Sequence, residues 1–468
     1  MRSGKHWAAL AVALAAAFVA ESAFAQANNN GGTNNTTIIG NVPAGVLVSP
    51  DGVLRVKQFA DKTGQLARTR AAEARAKLGA DLAKPSALRK ISLNRLEAAI
   101  AERLANGQEP TEEMKNLAGL TRLQYVFYYP ESKEIVIAGP AEGFMALQMG
   151  RVIGVESGRA VLELQDLVAA LRAFPPAGKQ THLISVSIDP TAEGLKAMQQ
   201  WLNEISGKVR PGDASAIVAG LKEKLGLQNV TVEGISPRTH FAQVLVEADY
   251  RMKLIGIGIE PPPVKMATYV SRANPTEVSR NALQRWYFTP NYDCVRVTED
   301  ALGMELVGQG VKLIGANELV AADGGRVAAA AGSQASELYC KAFTELYPQI
   351  AARNPVYAQL RNLIDMSVAA AFIQKQNYYG QSGWKADVVL DEQQYPSETY
   401  EAPKTVETAC TAIWKGSRLM TPVGGGVHIE PTDALQTSHL LKDDQGLVKA
   451  AHAEIKLGGL DKNQWWWD

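Results

Sequence analysis

The stretch HFAQVLVEADYRMKLIG, His240 to Gly256, packs Glu247, Asp249, Arg251 and Lys253 into seven residues behind an apolar run. At 100° per residue, Phe241, Val244, Leu245, Ala248, Met252 and Ile255 fall within about 100° of arc, the stripe of an amphipathic helix facing a core. Glu247 and Arg251 are four apart on one flank, and Asp249 and Lys253 four apart on the other. Each acid precedes its base, an order worth about 0.2 to 0.5 kcal/mol per pair on a helix surface. The spacing therefore predicts a helix with one buried face and its charges paired on the solvent side. A polar site built on Asp249, Arg251 and Lys253 is the competing reading.

Around this helix, strands and helices alternate between Leu123 and Glu260. LQYVFYY and EIVIAG, joined by Pro130 to Lys133, predict a hairpin, and VLELQDLVAALRAF a short strand running into a helix. HLISVSID, His182 to Asp189, predicts a strand, and Pro190 suits the first turn of the helix after it. Asp189, at the carboxyl end of that strand, stands where α/β folds place site residues. An acid there is equally a helix cap. The alternation predicts an α+β or α/β fold, helices packed on mixed sheets.

Earlier in the chain, GVLVSPDGVLRVK (Gly45 to Lys57) predicts a hairpin about Pro50-Asp51-Gly52, and Gln58 to Leu120 reads as helical. Between Arg55 and Arg103 stand 12 basic and 5 acidic side chains, a docking face for an anionic envelope polymer or a solvated amphipathic surface. In the second half, RWYFTP, DCVRVTED, MELVGQG and VKLIG predict a β-meander. The pattern divides the chain into 1–25, 26–40 (a polar linker), 41–120 (hairpin and helices), 121–260 (α/β), 261–320 (meander), 333–376 (a helical pair) and 377–468 (loop-rich with short strands), with 321–332 as a connection.

The N-terminus carries Arg2 and Lys5, an apolar run from Trp7 to Ala20, and Ala23-Phe24-Ala25, the pattern of a secretory signal peptide cut after Ala25. The expected destination is the periplasm, the cell envelope or the medium. Later in the chain no stretch approaches 18 apolar residues, so no membrane span is expected after signal removal. Cleavage removes Arg2, Lys5 and Glu21, leaving 46 basic and 47 acidic side chains, a balance that argues against nucleic acid as a partner.

Chemical motifs are few. GxSxG, GxxxxGK[ST], HExxH and an EF-hand loop are absent, and Gly256-Ile257-Gly258 runs into Pro261-Pro262-Pro263 instead of a helix. His182, His240, His428, His439 and His452 are too scattered for a helical metal pair, so no metal and no cofactor are expected. Cys294, Cys340 and Cys410 lack CxxC spacing, and one disulfide or three buried thiols fit equally. Large aromatics mark two candidate partner surfaces, Trp286 and the terminal Trp465-Trp466-Trp467, with core packing the better reading for Trp286 and an intramolecular groove the alternative for the end.

ISVSIDPTAEGLKAMQQWL, FAQVLVEADYRMKLIGIGIEPPPV, YDCVRVTEDALGMELVGQGVKLIG and PVYAQLRNLIDMSVAAAFIQ together resemble a family of exported planctomycete proteins of unknown function, DUF1598, over roughly residues 180 to 430. The resemblance implies no activity, cofactor or catalytic residue. Two functions stay open: a non-catalytic binding or scaffold protein of the cell envelope, recognising an envelope protein or anionic polymer, and an extracytoplasmic hydrolase with a carboxylate-based site. The first predicts charges paired on the surface and no deep polar pocket. The second requires ionisable groups from separate elements converging in one cleft with shifted pKa values.

Overall fold

In the computed structural model, residues 40–468 are described apart from 62–63, 148–149, 275–281, 322, 330–332, 416, 456 and 462, so the signal peptide and nearly all of the linker expected from sequence lie outside the described residues. Two mixed sheets organise the chain. The larger runs Gly40–Val48, Val53–Asp61, Thr405–Glu407, Leu227–Glu233, Ile184–Asp189, Ser417–Ile429, Ala282–Pro290, Val311–Val320 and Arg326–Ala328, with Cys410–Lys415 paired to Ser417–Ile429. The second runs Leu440–Lys442, Val295–Val297, Gly303–Leu306, Tyr125–Tyr129, Glu134–Ala141, Ser86–Ser92 and Trp466–Trp467. The fold is α+β.

Both predicted hairpins form, with Val48 opposite Leu54 and Tyr129 opposite Glu134. Turn chemistry was enough for them, because each pairs neighbouring strands through a tight local turn. The four strands read as a meander are shared between the sheets: Ala282–Pro290 pairs with Val311–Val320 in the larger one, and Val295–Val297 with Gly303–Leu306 in the second. Ser86–Ser92 lies in the helical stretch and is a strand. Its Arg89 is fully buried and donates to the carbonyls of Asp81, Leu82, Lys84 and Ala118, so a cation sits where alternation alone would put an apolar residue.

Helices cover both faces of the larger sheet. On one face, Ala192–Glu204 and Ala214–Leu225 bring Leu195, Met198, Leu202, Ile217, Leu221 and Leu225 onto Leu283, Val320, Cys410 and Ala412. On the other lies His240–Gly256, and behind it Pro355–Lys375, of whose 21 residues 19 are buried. Asp365 on the latter pairs with Arg122 at 3.2 Å, and the Asn362 amide donates to the Thr121 carbonyl at 3.2 Å, fastening the helix beside the second sheet. No helix among the described residues is long and apolar enough to cross a membrane.

This layering corrects the reading of the charged stretch. Its apolar stripe is buried as expected, but Glu247, Asp249, Arg251 and Lys253 are each 1 % exposed or less. With a sheet on one side and helices on the other, the helix has almost no solvent face, and charges four residues apart pair inside the protein. Their contribution changes with that: an exposed pair adds a few tenths of a kcal/mol, whereas a buried one carries a desolvation cost that only its partner offsets.

The terminal tryptophans are taken up by the chain itself. Trp466 and Trp467 pair antiparallel with Ile91 and Lys90. Trp465 and Trp467 are buried, and the Arg89 guanidinium lies 4.5 Å over the Trp466 ring. Arg89 also clamps the Asp468 carboxylate at 2.8 Å. Trp286 is fully buried between Tyr269 and Tyr339, its indole N–H donating to Ser336 Oγ at 2.8 Å, so it offers no surface to a partner. Cys294, Cys340 and Cys410 are buried free thiols whose burial raises their pKa, to about 12 for the first two and about 11 for the third.

Candidate functional site

Two helix N-termini meet beside the first hairpin. Thr239 caps His240–Gly256, its Oγ1 accepting from the Ala242 N–H at 3.2 Å, which puts His240 at the first helical position. The other helix, Leu164–Ala173, follows Glu163, whose side chain makes no cap hydrogen bond among the described residues. Asp166 follows in the first turn, where the helix dipole favours an acid.

Between these helices lies a cavity of about 290 Å³. His240, Gln243, Val244 and Glu247 line one wall, spaced as one face of a helix; Gly45 to Val48 form another, and Arg151, Glu163, Tyr400 and Glu401 complete it. Asp166 sits behind His240, its two carboxylate oxygens 3.0 and 2.9 Å from Nδ1. A carboxylate only accepts, so Nδ1 carries the hydrogen and Nε2 is turned towards Glu163 Oε1, 3.8 Å away. Gln165 fixes the other Glu163 oxygen, donating to Oε2 at 2.7 Å. Oε1 is buried and accepts no hydrogen bond among the described residues.

The electrostatics follow from this crowding. Burial pushes the Glu163 carboxyl upward, with His240 opposing it in part. At His240, burial disfavours the imidazolium, but Asp166 and Glu163 outweigh it and hold the pKa up at about 9. A base raised from 6.5 in the unfolded chain to about 9 in the folded one stabilises fully below 6.5 and loses that contribution as pH rises through 9. His240→Gln is accordingly expected to lower the unfolding free energy by on the order of 2 kcal/mol near pH 6 and by much less near pH 10, measured by urea denaturation at both. An equal loss at the two would refute the cationic state.

From the cavity a charged chain runs into the core. Arg151 donates to Glu247 Oε2 at 2.6 Å; Arg251 bridges Glu247 Oε1 at 3.2 Å and Glu260 at 2.5 Å. Arg251, a residue singled out from sequence, is thus one layer behind the cavity. Asp249 and Lys253 point elsewhere on the same helix: Lys253 Nζ donates to Asp249 Oδ2 at 2.6 Å and to the Ile188 carbonyl at 3.1 Å. Asp189 is not a helix cap, since Thr191 does that work with Oγ1 accepting from Gly194 N at 2.9 Å. It pairs with Arg285 at 2.9 Å and Arg326 at 3.1 Å, and both arginines reach Glu318. The structure therefore does not gather Asp189, Asp249, Arg251 and Lys253 into one cleft.

Comparison with known proteins adds one assignment. Residues 186–269 match the model of a protein family of unknown function, DUF1598. No curated protein and no solved structure matches the chain. The DUF1598 segment contains the cavity wall of His240, Gln243, Val244 and Glu247, together with Arg251 and Glu260. Arg151, Glu163 and Asp166 precede it, and Tyr400 and Glu401 follow it, so the cavity is closed by chain outside the match.

Sequence reading missed Glu163 and Asp166 altogether and counted His240 among scattered histidines. A weak signal was present: Glu163 and Asp166 stand at i, i+3 where a helix begins, and His240 follows a threonine cap. Nothing in one dimension brings the two helix starts together across 74 residues.

Proposed function

We propose that the protein is an exported hydrolase whose reactive centre is the cavity at Glu163, Asp166 and His240. One observation carries this reading: ionisable groups from separate elements converge on one cavity, with His240 and Glu163 both shifted upward in pKa. The open oxygen of Glu163 can take a proton from an attacking water, and the His240 imidazolium beside it can give one to a leaving group. Arg151 and Tyr400 on the walls suit orientation of a polar substrate. Export rests on the N-terminal pattern of Arg2, Lys5, the apolar run and Ala23-Phe24-Ala25.

The test is a panel of chromogenic esters, glycosides and phosphoesters with the mature chain and with Glu163→Gln. Turnover that falls by roughly 100-fold or more in the variant is expected, the usual scale for a lost acid–base group. Turnover of no substrate, or an unimpaired variant, would overturn the assignment.

A second reading, attachment to an anionic envelope polymer, is favoured by the basic helix Gln65–Lys77, which buries none of its residues. Co-sedimentation with purified wall polymer tests it, since neutralising Arg68, Arg70 and Lys77 should abolish capture.

A further inference from the structure

We propose that His240 and Glu163, with Asp166 behind the imidazole, form a divalent-cation site, the cation seated between His240 Nε2 and the open oxygen of Glu163. The inference rests on the reading of this cavity as the working site and names what the site holds.

Three observations carry it. First, the spacing fits: His240 Nε2 and Glu163 Oε1 are 3.8 Å apart. A cation with bonds of about 2.0–2.2 Å holds its ligand atoms roughly 3 to 4 Å apart. Second, the imidazole is already oriented. Asp166 takes the Nδ1 hydrogen and aims Nε2 at Glu163, so a cation that displaces the Nε2 proton meets the carboxylate–histidine arrangement common behind metal-bound histidines.

The third observation is independent of the cluster's composition. Glu163 is 8 % exposed, lines the cavity, and its Oε1 accepts no hydrogen bond among the described residues, while Gln165 anchors the other oxygen. A buried acceptor without a partner costs about 1 to 3 kcal/mol, and a cation relieves it. The charge around the cavity points the same way, with Glu163, Asp166, Glu247 and Glu401 against Arg151 and His240.

Ligand chemistry narrows the cation. One imidazole and one carboxylate, without sulfur, suit zinc, manganese or ferrous iron and disfavour the softest ions. Two protein ligands beside an open cavity leave positions for water, as catalytic rather than structural sites do. A cation there lowers the pKa of a bound water and polarises the bond to be cleaved, which fits the hydrolytic reading.

The experiment uses the mature chain stripped with EDTA and titrated with Mn²⁺ and Zn²⁺ by calorimetry, alongside Glu163→Gln, Asp166→Asn and a rim control, Glu401→Gln. One ion per wild-type chain is expected, with affinity reduced about 10- to 100-fold in the first two variants and unchanged in the control. Circular dichroism confirms that each variant is folded. No stoichiometric binding by folded wild type, or wild-type affinity in Glu163→Gln, overturns the site. Turnover assayed with and without metal separates the two readings. Metal-independent turnover removes the cation and keeps the hydrolase, whereas tight binding with no turnover on any substrate does the reverse.

Discussion

Lys253→Ala is expected to lower the unfolding free energy at about pH 8 by roughly 3 to 5 kcal/mol, the cost of stranding a buried charge. Both members of the Asp249–Lys253 pair are fully buried, and Asp249 Oδ1 has no hydrogen-bond partner among the described residues even in the wild type. Without Lys253 the whole carboxylate is left with no counter-charge in contact. The pH dependence separates this from simple loss of packing. Burial outweighs Lys253 and raises the Asp249 pKa from 3.8 to about 6, so in the wild type the carboxylate imposes a cost that is present above about 6 and gone below 3.8. Removing Lys253 enlarges that cost, which still begins near 3.8 but goes on growing to a higher pH. The stability gap between variant and wild type should therefore narrow as the pH falls from about 8 to 5, read by urea denaturation at each. A gap of constant size would show that the charge is immaterial. The double variant Asp249→Leu, Lys253→Met should recover most of the loss, because buried pairs replaced by apolar groups of similar volume are often neutral or stabilising.

Gly425→Ala is expected to be at least as severe, with a loss above about 4 kcal/mol or failure to fold. Gly424-Gly425-Gly426 lies in Ser417–Ile429, a strand paired on both sides, parallel to Ala282–Pro290 and antiparallel to Ile184–Asp189. Gly425 has φ +129°, and a Cβ there would stand 1.9 Å from the Trp286 carbonyl oxygen and 2.7 Å from its nitrogen. At Gly426 it would stand 1.9 Å from the Val186 carbonyl oxygen. These are backbone atoms of neighbouring strands and cannot swing aside. Room can come only from parting the sheet beneath His240–Gly256, where Trp286 packs against Gly256. Gly79→Ala is the control: its Cβ would meet nothing within 4 Å, and its effect should stay within about 0.5 kcal/mol. Equal melting of the two variants would show that close approach at Gly425 is unimportant.

The glycine run illustrates how far a sequence reaches. Three glycines in a row within a stretch that reads as loop are, in the structure, the centre of a 13-residue strand, because they let adjoining backbones approach closely. The same limit governed the helix of Glu247 to Lys253. Its pairing was legible, since residues four apart on a helix must meet. Its burial was not, since the layers that cover it come from Ile184–Asp189, Ser417–Ile429 and Pro355–Lys375, far off in the chain.

What the sequence determined by itself is local. Periodicity drew the helix at His240–Gly256 and Pro50-Asp51-Gly52 drew the first hairpin, each set by backbone geometry over a few residues. Tertiary structure alone decided which charges lost their water, that Trp465 to Trp467 close a sheet of their own chain, and that Glu163, Asp166 and His240 share a cavity. The reason is physical. Desolvation and the proximity of charges depend on what packs across a gap, and that is fixed by strand order and layer contacts, which no neighbouring residue encodes.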